Sequence, residues 1–262
     1  MAKALRQLHD KFYTKKNIVV GCLSLLGNLG RFKTIIEPSA GNGSFSSELP
    51  GCLAFDIEPE NPTITKQDFL KLSGLECLER PILVVGNPPF GRQSSLALQF
   101  IKKSCVFADT IAFILPKSFK KQSVIDKIPT NFHLEHQWDL PKGSFLLNGS
   151  DYDVPCVFQI WKNLGVARVV MVSRSPDGFM FVKKHEHPDF AFRRVGVYAG
   201  RVSWDYESKS VQSHYFIKAT YMEPLKLYSL MDSIIWEHDN TSGPRSISKQ
   251  ELIIELDNSA IV

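Results

Sequence analysis

Much is missing from this 262-residue sequence, and each absence removes a class of protein. Its five cysteines (Cys22, Cys52, Cys77, Cys105 and Cys156) are an odd number with no C-x-x-C pair among them. That scatter speaks against a disulfide framework and against a zinc site, and suits reduced thiols. No apolar run approaches the ~20 residues that a membrane-spanning helix needs. The opening stretch "MAKALRQLHDKFYTKK" lacks the apolar centre of a secretory signal. The expectation is a soluble protein, cytoplasmic or nucleoid-associated, with no membrane partner. There is no internal repeat or low-complexity tract, and no Gly-Lys-Ser/Thr follows a glycine-rich loop, which excludes a P-loop. A large charge of one sign is missing too. The net charge is +4, and all of that excess lies in residues 1–163, with nineteen basic against fifteen acidic residues, while 164–262 holds twelve of each. The densest lysines are in "LPKSFKK" (115–121) and "FIKKS" (100–104).

What is present is an alternation of short apolar runs with helix-like segments. Strands are expected at "TIIEP" (34–38), "CLAFDI" (52–57), "ITKQDF" (64–69), "PILVVGN" (81–87), "TIAFILP" (110–116), "HLEHQWDLP" (133–141) and "VPCVFQIWKN" (154–163). Helical spacing of apolar positions marks "NIVVGCLSLLGNL" and "SLALQFIKKSC". Such alternation implies an α/β fold, a mostly parallel sheet with helices on both faces, and the last two strands suit an antiparallel pair at one edge. Past residue 163 the texture changes. "VARVVMVSRSPDGFMFVKK" reads as two strands around a Ser-Pro-Asp-Gly turn, "AFRRVGVYAGRVSW" and "SHYFIKATYM" as further strands, and "MEPLKLYSLMDSIIWEHD" as a helix. A second helix, in "SISKQELIIEL", begins at a serine cap. We therefore divide the chain into a domain at 1–163 and a small C-terminal α+β lobe at 164–262.

In an open α/β sheet, ligands bind beyond the carboxyl ends of the strands. Those ends carry, in order, "EPSAGNGSFS" with Gly41 and Gly43, "FDIEP" with Asp56, "QDF" with Asp68 and Phe69, "NPPF" at 87–90, and the lysines of "PKSFKK". Taken singly, each has a structural explanation: a strand-to-helix turn, a surface charge, a core phenylalanine, a solvated face. The double proline is harder to explain so. Proline has no N–H to donate and fixes its own φ, so "ILVVG" must end in a stiff turn. A nicotinamide-dinucleotide fingerprint fits poorly, because its third glycine falls on Ser46 and Asp56 comes sooner than the expected ~20 residues.

Together, "EPSAGNGSF" and "NPPF", with "DKFYTKKNIV" (10–19) ahead of them, resemble the S-adenosylmethionine-dependent methyltransferases of the Rossmann-like class. Within that class they are similar to the amino-methyltransferases with an (Asn/Asp)-Pro-Pro-aromatic motif, in the gamma order of motifs. The resemblance covers about residues 10–163. It implies a seven-stranded, mostly parallel methyltransferase sheet, S-adenosylmethionine as cofactor, and recognition of substrate by the C-terminal lobe. Residue by residue, it implies a cofactor loop of Glu37, Ser39, Gly41 and Gly43, with Asp56 on the ribose hydroxyls. Asp68 would accept from the cofactor's adenine, Phe69 would pack on that ring, and Tyr13 and Thr14 would flank the methionine part. Asn87, Pro88, Pro89 and Phe90 would form the catalytic turn.

The implied substrate is the exocyclic amino group of adenine in nucleic acid, DNA more than RNA, flipped into a pocket beside the turn. Phe145 is expected as a second aromatic wall. Lys117, Lys120 and Lys121, with Lys142 at the same rim, are expected as phosphate contacts. In the lobe, Arg193 and Arg194, interleaved with Phe192 and Tyr198, suit stacking and groove contacts, though an ordinary edge strand would look the same. Two other acceptors stay open, adenine in RNA and the side-chain amide of a protein glutamine, as does a catalytically silent binding module. "KKHEHPD" offers His185 and His187 without further ligands, so no metal is expected.

Overall fold

The run "ILVVG" lies at the centre of the sheet. In the computed structural model, which describes residues 12–170, 172–236, 240–241 and 244–259, all five of its residues are buried. The described chain forms two compact units, Met1–Val170 and Met171–Val262. The first unit begins with β1 (Tyr13–Thr14) and helix α1 (Lys16–Ser24), then β2 (Thr34–Glu37), β3 (Leu53–Asp56), β4 (Thr65–Lys66) and β5 (Ile82–Gly86). Helix α2 (Ser95–Ser104), β6 (Thr110–Pro116), α3 (Gln122–Ile125) and β7 (Phe132–Asp139) follow. A hairpin of β8 (Phe145–Leu147) and β9 (Ser150–Tyr152) precedes β10 (Cys156–Asn163).

All seven expected strands enter one sheet in the order β4-β3-β2-β5-β6-β10-β7. The pairs from β4 to β6 are parallel. Strand β10 runs antiparallel to both β6 and β7, leaving β7 at the edge. This is the expected α/β architecture, a Rossmann-like sheet with one reversed strand. Alternate residues of β5 serve opposite faces, as the two-residue period requires. Ile82 and Val84 join Phe100 and Ile101 of α2 in one core cluster, and Leu83 and Val85 join Ile18 and Val19 of α1 in another. Burial on both faces is why the strands read as continuous apolar runs. The crossovers from β2 to β3 and from β4 to β5 contain only 3-10 turns, so α1 and α2 carry most of the helical cover. Among the described residues, no helix is long and apolar enough to cross a membrane.

The second unit holds β11 (Phe179–Val182), β12 (Phe190–Arg193), β13 (Val202–Ser203), β14 (His214–Ala219), α4 (Pro224–Ser233) and α5 (Lys249–Ser259). Its sheet has the order β11-β14-β12-β13 and is antiparallel throughout. Phe190, Phe192 and Ile217 pack against Leu227 of α4 and Leu252 and Leu256 of α5. The expected cap of α5 is a reciprocal box: Ser248 Oγ accepts from the Glu251 N–H at 3.2 Å, and Glu251 Oε2 accepts from the Ser248 N–H at 2.7 Å. One expectation fails. The Val-rich run before Ser-Pro-Asp-Gly has no strand among its described residues, and Val169 and Val172 are 93% and 85% exposed. Alternating valines look like a half-buried strand, but no face covers them. Arg168 instead bonds the Ile125 and Ile128 carbonyls at 2.6 and 2.7 Å and holds the chain in an irregular course.

Candidate active site

The switch in strand order falls between β2 and β5: from β2 the sheet continues through β3 to β4, and from β5 it continues the other way to β6. Crossovers leave this point in opposite directions, the arrangement at which open α/β sheets bind ligands beyond their strand ends. The two tips approach closely. Gly86, at φ 151, has no Cβ, and one placed there would meet Glu37 Cγ at 3.3 Å. Between the two tips, Ser39 Oγ donates to the Asn87 carbonyl at 3.4 Å.

The loop after β2 is shaped by its glycines and by a carboxylate from the next strand. Gly41 and Gly43 have φ of 55° and 90°, the left-handed region that favours glycine. The Gly41 N–H donates to Asp56 Oδ2 and the Glu58 N–H to Asp56 Oδ1, both at 2.8 Å. Tyr13 lies against this loop, with its ring 3.6 Å from where a Gly41 Cβ would sit and its hydroxyl donating to Glu60 Oε1 at 2.5 Å. Burial and then that bond push the Tyr13 phenol up to about 12. Tyr13, Thr14, Glu37, Ser39, Gly41 and Asp56 are thus linked around the tips of β2, β3 and β5.

Glu37 is 2% exposed and accepts from the Ser46 N–H at 2.7 Å. Burial pushes its carboxyl up from 4.5 to about 7, against the opposing effect of the Ser46 bond. Because the folded state favours the protonated form, this contribution to stability is complete below about pH 4.5 and lost as pH rises through about 7, a swing of roughly 3 kcal/mol. Glu37→Gln keeps an acceptor for Ser46 and cannot ionise. Thermal melts of the two proteins from pH 4 to 8.5 should therefore diverge, with the variant gaining on the native chain as pH rises. Parallel curves would contradict this.

The NPPF turn supplies the most unusual atom of the site. Asn87 Nδ2 donates to the Phe12 carbonyl at 3.5 Å and to Thr14 Oγ1 at 3.4 Å. Both partners can accept, which orients the amide and turns Oδ1 the other way. Oδ1 is buried and, among the described residues, has no hydrogen-bond partner. Among the described residues, no backbone N–H donates to the Pro88 carbonyl. After Pro89, Phe90 packs on both core clusters, and its carbonyl accepts from Leu96 and Ala97 at 3.2 and 3.3 Å, tying the turn to the start of α2. Burial raises the thiols of the half-buried Cys52 and Cys105 to about 12, and those of the buried Cys22 and Cys156 further, which disfavours the thiolate at all four.

Other expected residues have structural partners of their own. Asp68 caps a 3-10 turn through the Leu70 N–H at 3.0 Å and pairs with Lys71 at 3.3 Å. Phe69 is 1% exposed and stacks on Phe100 at 5.5 Å, so its ring belongs to the core. Phe145 is a correction: it is also 1% exposed, within the cluster under α1, and offers no open wall. The expected lysine rim carries an acidic neighbour. Lys120 bonds Asp139 at 2.9 Å and Lys117 lies 3.9 Å from it, so a β7 carboxylate offsets charge expected to meet phosphate. Lys121, half-buried, sits beside them at the start of α3, and Lys142 is exposed. In the second unit, Arg193 donates to the Val195 carbonyl and lies 5.9 Å from the Tyr198 ring centre, while Arg194 lies 5.4 Å from that of Tyr215. Of the N-terminal motif, Asp10 and Lys11 lie outside the described residues, as do Met171 and residues 237–239 of the runs read above.

Sequence reasoning missed one aromatic pair. Tyr152, 39% exposed, stacks on Phe12 with ring centres 4.9 Å apart and planes at 9°, beside the carbonyl that orients Asn87. A signal existed in "LLNGSDY": Asn-Gly between short runs marks a two-residue hairpin, and Asn148 and Gly149 have φ of 52° and 80°. That hairpin, β8–β9, pairs with β1 and brings Tyr152 to Phe12.

No protein-family model and no curated protein matches the sequence at a significant level. Among solved structures, the chain is similar to a candidate RNA methyltransferase of Pyrococcus horikoshii, with 18% identity and a TM-score of 0.44 over 59% of this chain and 87% of that one. It is similar to the modification subunit of a candidate type I restriction enzyme of Vibrio vulnificus, with 16% identity and a TM-score of 0.44 over 62% and 48%. A third likeness is to the 23S rRNA methyltransferase ErmE, with 14% identity and a TM-score of 0.43 over 60% and 71%.

Proposed function

We propose that this chain is an S-adenosylmethionine-dependent methyltransferase acting on the exocyclic amino group of adenine in nucleic acid, with DNA the favoured polymer. The observation that carries this reading is the Asn87 side-chain oxygen, buried without a partner while its own nitrogen is held by Phe12 and Thr14. A buried acceptor left unsatisfied costs about 1–3 kcal/mol, and such an atom calls for a functional explanation.

The residues present fit the cofactor. Two left-handed glycines shape the loop at the switch point, and Asp56 and Tyr13 stand beside it. Glu37, Ser39, Gly41, Gly43, Asp56, Tyr13 and Thr14 would hold it. When bound, S-adenosylmethionine supplies a methyl group activated by its sulfonium. The rest is the work of the turn. An aromatic amino nitrogen is a poor nucleophile because its lone pair is shared with the ring. Asn87 Oδ1 accepts one amino hydrogen and the Pro88 carbonyl the other, which favours the tetrahedral nitrogen as its new bond to carbon forms. The nitrogen then loses one proton to solvent, so no strong base is needed. Prolines at the end of a fully buried strand would keep both oxygens aimed, which is orientation and preorganised electrostatics. Phe90, or the exposed face of the Phe12–Tyr152 stack, offers a surface for a flipped base.

One observation favours a second acceptor, the planar amide of a glutamine side chain: Asp139 offsets the lysines expected to draw a polyanion to this rim. Transfer of labelled methyl from S-adenosylmethionine to DNA, RNA and protein separates these readings. Label in DNA is the expected result. Label in protein alone would move the reading to the amide, and label in none would end it.

A further inference from the structure

A cluster of cationic side chains lines a cleft in the second unit. This cleft, of about 390 Å³, is lined by Phe181, Lys183, Lys184, His185, Tyr215 and Lys249, with His214 on its wall and no acidic side chain in its lining. Two of its three lysines are held in place by uncharged groups. Lys249 Nζ lies 4.4 Å from the centre of the Phe181 ring and 5.9 Å from that of Tyr215. An ammonium held on an aromatic face keeps its full charge and can still donate to an anion. Lys184 Nζ donates to the backbone carbonyls of Glu207 and Lys209 at 2.5 and 3.0 Å, which orients it without neutralising it. The nearby carboxylates of Glu186 and Glu251 accept from the backbone N–H groups of Lys183 and Ser248. Arg194 adds a guanidinium over Tyr215. Lys117 and Lys120, by contrast, face Asp139.

We propose that this cleft is a phosphate-binding site that seats the backbone of the nucleic-acid substrate. The inference rests on the reading of the substrate as nucleic acid and adds where the polymer is held. Phosphate contacts position a polymer without reading its sequence, and each releases counterions, so their number shows in the salt dependence of binding.

The test is binding of a fluorescently labelled oligonucleotide to the full chain by anisotropy over a series of NaCl concentrations. The native chain is compared with Lys183→Ala/Lys249→Ala, with Lys249→Glu as a charge-reversed second variant. Both lysines are exposed, and thermal melts check that each variant folds. The double variant should bind roughly tenfold or more weakly near physiological salt, equally for unrelated sequences. The slope of log K against log salt should become shallower by about one per lysine. An unchanged slope and affinity, in a chain that still methylates nucleic acid, overturns this site and leaves the proposed function standing. An equal loss in Lys102→Ala/Lys127→Ala, two exposed lysines of the first unit, would mean that net charge alone is read and also overturns it. Failure of the native chain to bind any oligonucleotide overturns both.

Discussion

Replacing Asn87 with alanine is expected to lower methyl-transfer turnover by about two to three orders of magnitude while leaving thermal stability unchanged or slightly higher. The two effects come from the same atom. Oδ1 is buried and unpaired, so removing it removes a desolvation penalty of about 1–3 kcal/mol. What is lost is a pair of long bonds from Nδ2, at 3.4 and 3.5 Å, whose net worth is small. In the proposed reaction, the same oxygen is one of two acceptors aimed at the amino group, and deleting one preorganised hydrogen-bonding partner typically costs 10²–10³ in rate. Asn87→Asp keeps an acceptor in place but turns a second oxygen toward the Phe12 carbonyl, so it should fall between the native chain and the alanine variant. Turnover at saturating substrate, read beside a melting curve, checks the pair. A variant that lost stability and activity together would show that Asn87 acts as a structural residue.

Gly91→Ala should be the most damaging single methyl group near the site. Gly91 has φ 66° and ψ −177°, a region open essentially to glycine alone, and a Cβ there would stand 2.7 Å from Leu96 Cβ. Leu96 cannot easily give way, because it opens α2 and its N–H is bonded to the Phe90 carbonyl. Backbone strain and overpacking together predict a loss of about 3 kcal/mol or more. The next residues are also strained: Gln93 and Ser94 hold φ of 53° and 61° without being glycine. The chain thus turns from NPPF into α2 through a short, over-determined corner. Chemical denaturation of the variant checks this, and a midpoint within error of the native value would contradict it. Activity should fall with stability, since the same corner fixes Phe90.

The sheet was legible because its central strands are buried on both faces, so burial wrote runs such as "ILVVG" and "TIAFILP" into the sequence. The turn was legible because proline physics allows few other readings of "NPPF". Contacts between distant segments were not legible. The two residues of β1 and three each of β8 and β9 are too short to show a period, yet they bring Thr14 to Asn87 and Tyr152 to Phe12. Whether Phe145 or Tyr152 faced outward depended on the register of that hairpin, which its Asn-Gly turn sets. The pairing of Lys120 with Asp139 joins the end of β6 to the far end of β7, a neighbourhood that only the sheet order defines. The valines around Val169 misled for the opposite reason: a local pattern was present and no packing partner was.

The most direct test of the central claim is to identify the methylated product. After incubation with labelled S-adenosylmethionine, the acceptor polymer is digested and its nucleosides are separated by mass. The account predicts a single new species, adenine methylated on its exocyclic nitrogen, formed by the native chain and nearly absent with Asn87→Ala. A methyl group on a ring carbon, or undiminished product from that variant, would contradict it.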